Sequence, residues 1–129
     1  MIRRRLPVLL LLAACASIPA NRYGLRVVPD VATYERLVRA DPGKRLVDVE
    51  SLGIAIDVRY ATANNFMKAP LYPIAKAYVR APAARALAEI QRELAKEGLA
   101  LKVFDGYRPY SITEQMWERI HQEGFVANP

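Results

Sequence analysis

The chain has 129 residues, with 19 Lys and Arg against 13 Asp and Glu, and its hydrophobic share of 53% suits one folded domain rather than a disordered polyelectrolyte. Nine Pro and six Gly without a period exclude a collagen-like chain, and no repeat suggests a solenoid or array. Setting aside Arg3, Arg4 and Arg5 leaves 16 basic residues against 13 acidic ones with no contiguous cationic track, so no nucleic-acid partner is expected.

Residues 1–20 read as an export signal. Arg3 to Arg5 form a positive start, Leu6 to Leu12 an apolar stretch interrupted by Pro7, and Ala13 and Ala14 precede the single cysteine, Cys15. The apolar stretch is too short to span a bilayer. Leu12-Ala13-Ala14-Cys15 resembles a bacterial lipobox, which makes Cys15 a candidate lipidation site and a membrane, reached through acyl chains, a candidate partner. The alternative is a signal cleaved near Ala20, with Cys15 discarded. Either way the expected location is outside the cytoplasm, in the periplasm or cell envelope. Ala16 is not the aspartate associated with inner-membrane retention, so the outer membrane is the expected anchor site. With one cysteine, stability must come from packing or from a metal.

Residues 21–29 read as a tether, because Asn21, Gly24 and Pro29 interrupt any periodicity. The domain, residues 30–129, begins with Asp30 as the cap of a short helix whose Val31, Tyr34 and Val38 share a face, and Asp41-Pro42-Gly43 turns the chain. Leu46, Val47 and Val49 lead into the alternation Ile54, Ile56, Val58, Tyr60, the pattern of a half-buried strand. Ala61 to Pro73 is a loop carrying Asn64 and Asn65, of a length often tied to function.

Pro82 opens a helix over 83–97 with Ala84, Leu87, Ile90, Gln91 and Leu94 on one stripe and Gly98 ending it. Ala100 to Asp105 reads as a strand stopped by Gly106. Ser111-Ile112-Thr113-Glu114 has the form of a capping box opening a last helix, with Ile112, Met116, Trp117 and Ile120 inward and Gly124 as its end. Phe125-Val126-Ala127 reads as extended and uncovered. The mixture predicts an α+β fold, a mixed or antiparallel sheet packed with helices.

The stretch with most chemical content is Phe104-Asp105-Gly106-Tyr107-Arg108-Pro109, at a strand's exit. Pro109 biases Arg108 away from helical dihedrals, Gly106 permits a tight turn, and Asp105 is near enough in sequence to brace a guanidinium. Arg108 is then either a fixed fork for a carboxylate or oxyanion, or an ion pair that only staples the turn. His121 is the only histidine, and Glu118-x-x-His121 has a spacing that can bind metal. A catalytic zinc needs three protein ligands, so these two are expected on a solvated helix face instead.

Ile56-Asp57-Val58-Arg59-Tyr60-Ala61-Thr62-Ala63-Asn64-Asn65-Phe66, followed by Phe104-Asp105-Gly106-Tyr107-Arg108-Pro109 and by Gly124-Phe125-Val126-Ala127-Asn128-Pro129, resembles the zinc D-alanyl-D-alanine dipeptidases of the vancomycin-resistance type. The resemblance implies an α+β metallopeptidase fold and hydrolysis of D-Ala-D-Ala to two D-alanines in cell-wall metabolism. It matches Arg108 to the family arginine that stabilises the tetrahedral transition state, and Tyr60 to a tyrosine of the substrate pocket.

The family's zinc ligands lie in a Ser-x-His-x-x-Gly-x-Ala-x-Asp segment and a later Glu-x-x-His, and neither occurs within these 129 residues. The expectation is therefore an N-terminal portion of the dipeptidase domain, truncated before its zinc-binding half. The metal site would fall beyond Pro129, with no zinc bound by these residues and no activity of their own. The competing reading is a non-enzymatic envelope lipoprotein that uses the same cleft, with Arg108 as clamp, to bind peptidoglycan-derived peptides.

Overall fold

Asp30 starts the first helix as its sequence position demands: its carboxylate accepts from the Thr33 N–H at 2.7 Å and closes the first turn of α1, Val31–Ala40. The computed structural model describes residues 18–122 and 124–129. The inward face of α1 is Thr33, Tyr34 and Val38, whereas Val31 is 71% exposed and does not share it. The Tyr34 hydroxyl accepts from the Leu46 N–H at 2.7 Å, tying the helix to the strand that follows.

That strand is β1, Leu46–Asp48, antiparallel to β3, Tyr78–Arg80, with Val47 opposite Val79. The long strand expected through Tyr60 is not formed. A 3₁₀ turn, Val49–Leu52, intervenes, and only β2, Ala55–Ile56, pairs, in parallel with β4, Lys102–Val103. The alternation still reports burial correctly, since Ile54 and Val58 are buried while Ala55 and Arg59 are exposed. Tyr60 itself lies in a further 3₁₀ turn, Arg59–Ala61.

Helix α2, Ala81–Lys96, follows β3 directly with Pro82 in its first turn. Ala84 is buried and Leu87, Gln91 and Leu94 are half-buried, but Ile90 is 47% exposed and belongs to the outer side. Gln91 carries its polar end for a reason: its Oε1 accepts from the Leu101 N–H at 2.8 Å, fixing the approach to β4.

Helix α3, Tyr110–Ile120, buries Ile112 and Met116. The capping box is not made. Pro109 occupies the cap position without a side-chain hydrogen bond, and Ser111 already lies inside the helix. The helix ends at Ile120 with His121 in the left-handed region at φ 42°, not at Gly124. Residues 124–126 turn, no strand forms over 125–127, and Val126 is buried.

The core gathers Val49, Ile54, Val58, Leu71, Tyr72, Ala77, Ile112, Met116 and Val126 from the segments flanking β1, β2 and β3, the loop, α3 and the turn after it. Helices beside one antiparallel and one parallel strand pair make the fold α+β. No helix among the described residues is long and apolar enough to cross a membrane.

Candidate functional site

Two irregular segments meet in front of the core. The first is the loop after β2, which a single side chain organises. Asn65 Nδ2 donates to the carbonyls of Arg59 at 3.2 Å, Thr62 at 2.6 Å and Ala69 at 2.9 Å, while its Oδ1 accepts from the Met67 N–H at 2.8 Å. The loop's far end returns to its start, because the N–H groups of Leu71 and Tyr72 both donate to the Tyr60 carbonyl, at 2.7 and 2.9 Å. The Tyr60 ring is thereby fixed between Phe66 and Tyr72, with centroids at 6.0 and 5.7 Å.

The second segment is the exit of β4. Its path is set by Gly106, which lies so close to β3 that an added Cβ would sit 2.5 Å from the Tyr78 carbonyl oxygen. The Tyr107 N–H donates to that same oxygen at 2.5 Å. Gly106 does not have positive φ, so its role is close approach of two backbones rather than the tight turn expected from sequence.

Arg108 emerges from this docked segment and is held on several sides. Its Nη2 donates to Asp105 Oδ2 at 2.6 Å, its Nε makes a long contact of 3.4 Å to the Tyr72 hydroxyl, and its Nη1 lies 3.4 Å from Met116 Sδ. The guanidinium carbon stands 4.9 Å from the centroid of the Tyr60 ring. Tyr72 closes the network by donating to Asp105 Oδ1 at 2.9 Å. The Asp105–Arg108 pair braces the turn and leaves Arg108 on the wall of a cleft.

The charges follow from these contacts. Burial opposes the Arg108 charge, but hydrogen bonds to Asp105 and Tyr72 and the Asp105 charge outweigh it, so the net shift of its pKa is upward and the side chain stays cationic. Burial pushes the Tyr72 phenol up to about 12; the hydrogen bond from Arg108 opposes this and Asp105 adds to it. Tyr72 is therefore a neutral donor and acceptor between the two ions at physiological pH.

The cleft encloses about 580 Å³ and is lined by Arg59, Tyr60, Asn64, Asn65, Phe66, Lys68, Phe104, Asp105 and Arg108. The two residues singled out in the sequence, Arg108 and Tyr60, are brought together there. Sequence reasoning missed Tyr72 and Met116, which hold Arg108 from behind, and the cations Arg59 and Lys68. Asn65 carried a local signal, the turn-forming Asn64-Asn65 pair, but its three carbonyl partners are not readable from it.

Glu118 and His121 do not line this cleft. Glu118 is exposed and pairs with Arg22, and the exposed His121 packs its ring 5.4 Å from that of Trp117. Cys15 lies outside the described residues. Among the described residues no three or more His, Cys, Asp or Glu side chains gather as a metal site. Asp105, the one carboxylate on the cleft wall, is already engaged by Arg108 and Tyr72. The described donor set therefore does not fit a catalytic zinc.

Against protein-family profiles, residues 43–129 match the family described as D-ala-D-ala dipeptidase. No curated protein and no solved structure matches the chain.

Proposed function

We propose, because this chain belongs to the D-ala-D-ala dipeptidase family, that the Arg108 cleft is the substrate side of a site that hydrolyses D-Ala-D-Ala to two D-alanines in cell-wall metabolism. Membership makes the chain a peptidase at family level, in a family that is generally zinc-dependent. The observation that carries the finer reading is the immobilised guanidinium: braced by Asp105 and Tyr72 and faced by Tyr60, it lines a cleft of dipeptide-accommodating volume.

Such a cation does in advance what attack on an amide requires. As the carbonyl carbon becomes tetrahedral, its oxygen gains negative charge, and a donor already fixed in place stabilises that charge without reorganising. Arg108 is assigned that stabilising role, and Tyr60 is assigned to the substrate-binding wall. A zinc held by ligands outside the described residues would supply an activated water. No metal-dependent step is assigned to the described residues, and the reading places the zinc ligands and general base outside them. Phe125 packs on Phe66 of the cleft wall with ring centroids 5.2 Å apart, so this side chain stands beside the cleft.

Export and acylation at Cys15 complete the proposal: the domain would act in the envelope, held at a membrane surface and facing D-Ala-D-Ala or peptidoglycan-derived peptides. A second reading is an envelope lipoprotein that binds such peptides without cleaving them, with the braced Arg108 on the cleft wall as its carboxylate clamp.

Kinetics separates the two. In a chain that includes the metal-binding segment, Arg108→Ala is expected to lower D-Ala-D-Ala turnover about a hundred- to a thousandfold, the usual effect of losing a transition-state donor. A loss of less than about threefold would return Arg108 to a purely structural staple. The binding reading gains if no such extended chain turns over the dipeptide with zinc supplied.

A further inference from the structure

We infer that Arg59 and Lys68 form a seat for a free C-terminal carboxylate on the exposed rim of the Arg108 cleft. The inference rests on the proposed reading of that cleft and names the end of the substrate it recognises.

The cleft wall carries three cations, Arg59, Lys68 and Arg108, against one carboxylate, Asp105. Asp105 is committed to Arg108 and Tyr72, so the Arg108 charge is largely balanced within the protein. The other two charges are not. Arg59 reaches Asp57 only through 3.4 Å contacts, between side chains 52% and 41% exposed, and its guanidinium lies 5.7 Å from the Phe104 ring centroid. Lys68 makes no ion pair among the described residues. A neutral peptide would gain nothing from this excess, whereas a carboxylate would satisfy it through charge-assisted hydrogen bonds.

Backbone conformation singles out Lys68 independently. Its φ is 53°, a left-handed value it shares with His121 alone among described non-glycine residues. The turn is imposed from outside the residue: the Lys68 N–H donates to the Asn65 carbonyl at 3.1 Å, and the Asn65 side chain grips Met67 and Ala69 on either side. Glycine would adopt this conformation with no Cβ penalty. A long cationic side chain is held there instead, at a conformational cost and on the cleft wall, and such strain is a pointer to a binding role.

Arg59 is presented by the same device, since its carbonyl accepts from both Asn65 Nδ2 and the Thr62 N–H. One asparagine thus sets both rim cations, while the separate Gly106 contact sets Arg108. The division matches a substrate with two demands, a permanent carboxylate at its end and a transient negative charge at its scissile carbonyl.

The test is calorimetric titration of the full chain with D-alanyl-D-alanine and with its C-terminal amide. The wild-type protein should bind the acid about tenfold more tightly than the amide, and added salt should narrow the gap. Lys68→Gly should weaken the acid about tenfold and leave the amide within about twofold. Lys68→Gly relieves the left-handed position, so an unchanged or raised Tm separates lost binding from lost folding. Lys68→Met, which keeps the aliphatic stem, should repeat the result.

Equal binding of acid and amide by the wild-type chain, absence of binding to either, or Lys68 variants that bind the acid normally would each overturn the seat. The Arg108 reading can fail separately. Turnover lost in Arg108→Ala alongside neutral Lys68 variants removes only the seat, and the converse removes only the oxyanion role.

Discussion

Helix α2 and the Arg108 cleft are specified in opposite ways. In α2 a repeating stripe, Ala84, Leu87, Gln91 and Leu94, turns one side of sixteen residues inward, and no single contact decides the helix. In the cleft almost nothing repeats. Asn65 holds four backbone groups, Gly106 permits one backbone crossing, and Asp105 with Tyr72 fixes one guanidinium. A periodic element distributes its specification over many side chains and tolerates loss of any one. A site built from singular contacts does not, so its failures should be large, local and different in kind.

The sharpest way to break this contrast is Gly106→Ala. The new Cβ would meet backbone atoms of Tyr78, which cannot rotate away as a side chain can. A loss of about 3 kcal/mol is expected in denaturant unfolding, together with loss of dipeptide binding as the Arg108 segment lifts from β3. Gly98, at the end of α2, meets nothing within 4 Å, but its φ of 69° makes it strained for other residues too, so the informative control is a substitution within α2. Exposed Arg85→Ala should change stability by less than about 0.5 kcal/mol. If the two substitutions cost the same, the contrast is wrong.

Asn65→Ala comes next. It leaves three carbonyls and one N–H of the loop to find water, and a cost of about 2 kcal/mol is expected, smaller than the sum of four bonds because the loop is partly solvated. Its signature is selective: accelerated hydrogen exchange at Met67, Lys68, Leu71 and Tyr72, with the amides of α2 still protected. Uniform acceleration throughout the chain would mean that the loop is not a separately fixed unit.

The same contrast explains what could be read in the sequence. The helix positions, the inward residues Ile112 and Met116, the burial of Ile54 and Val58 and the α+β class all follow from periodicity or local chemistry. The strand expected through Tyr60 does not form, because alternation records which side is buried and not whether a partner strand continues alongside; β4 offers only Lys102 and Val103. The capping box at Ser111 failed for a long-range reason. Tyr107 is pinned to Tyr78, which brings Pro109 to the helix start and places Ser111 within the first turn, while Glu114 turns toward Arg22. Arg108 was legible because its brace, Asp105, is three residues away; Tyr72 was not, being thirty-six residues distant.

Tyr72→Phe sharpens the account of that brace with a smaller effect. The ring and its packing remain, and only the hydroxyl between Asp105 and Arg108 is lost, for about 1 kcal/mol at neutral pH. The pH dependence follows from the raised pKa. Burial favours the neutral phenol in the folded chain, moving it from 10 to about 12, so its contribution to stability is complete below pH 10 and is lost as pH rises through about 12. Wild-type stability should therefore fall over that interval by an amount that the phenylalanine variant lacks. Identical alkaline unfolding profiles would show that the hydroxyl is not held as described.

The most local effect is expected at the start of α1. Asp30→Ala removes one carboxylate from the start of α1, and that carboxylate is held below the usual range chiefly by the Thr33 N–H bond. The helix keeps Tyr34 bonded to Leu46 and Val38 buried, so loss of the cap should fray the first turn and leave the rest in place. Hydrogen exchange should quicken at Thr33 and Tyr34 alone, and affinity for D-alanyl-D-alanine should stay unchanged. The cap also makes a pH test possible. Because the folded carboxyl is lowered, its stabilisation is present above the ordinary carboxylate pKa and disappears as pH falls through the folded value, so wild type and variant should converge in acid. A change in dipeptide affinity would instead tie α1 to the cleft, and the separation between distributed and singular specification would no longer describe this domain.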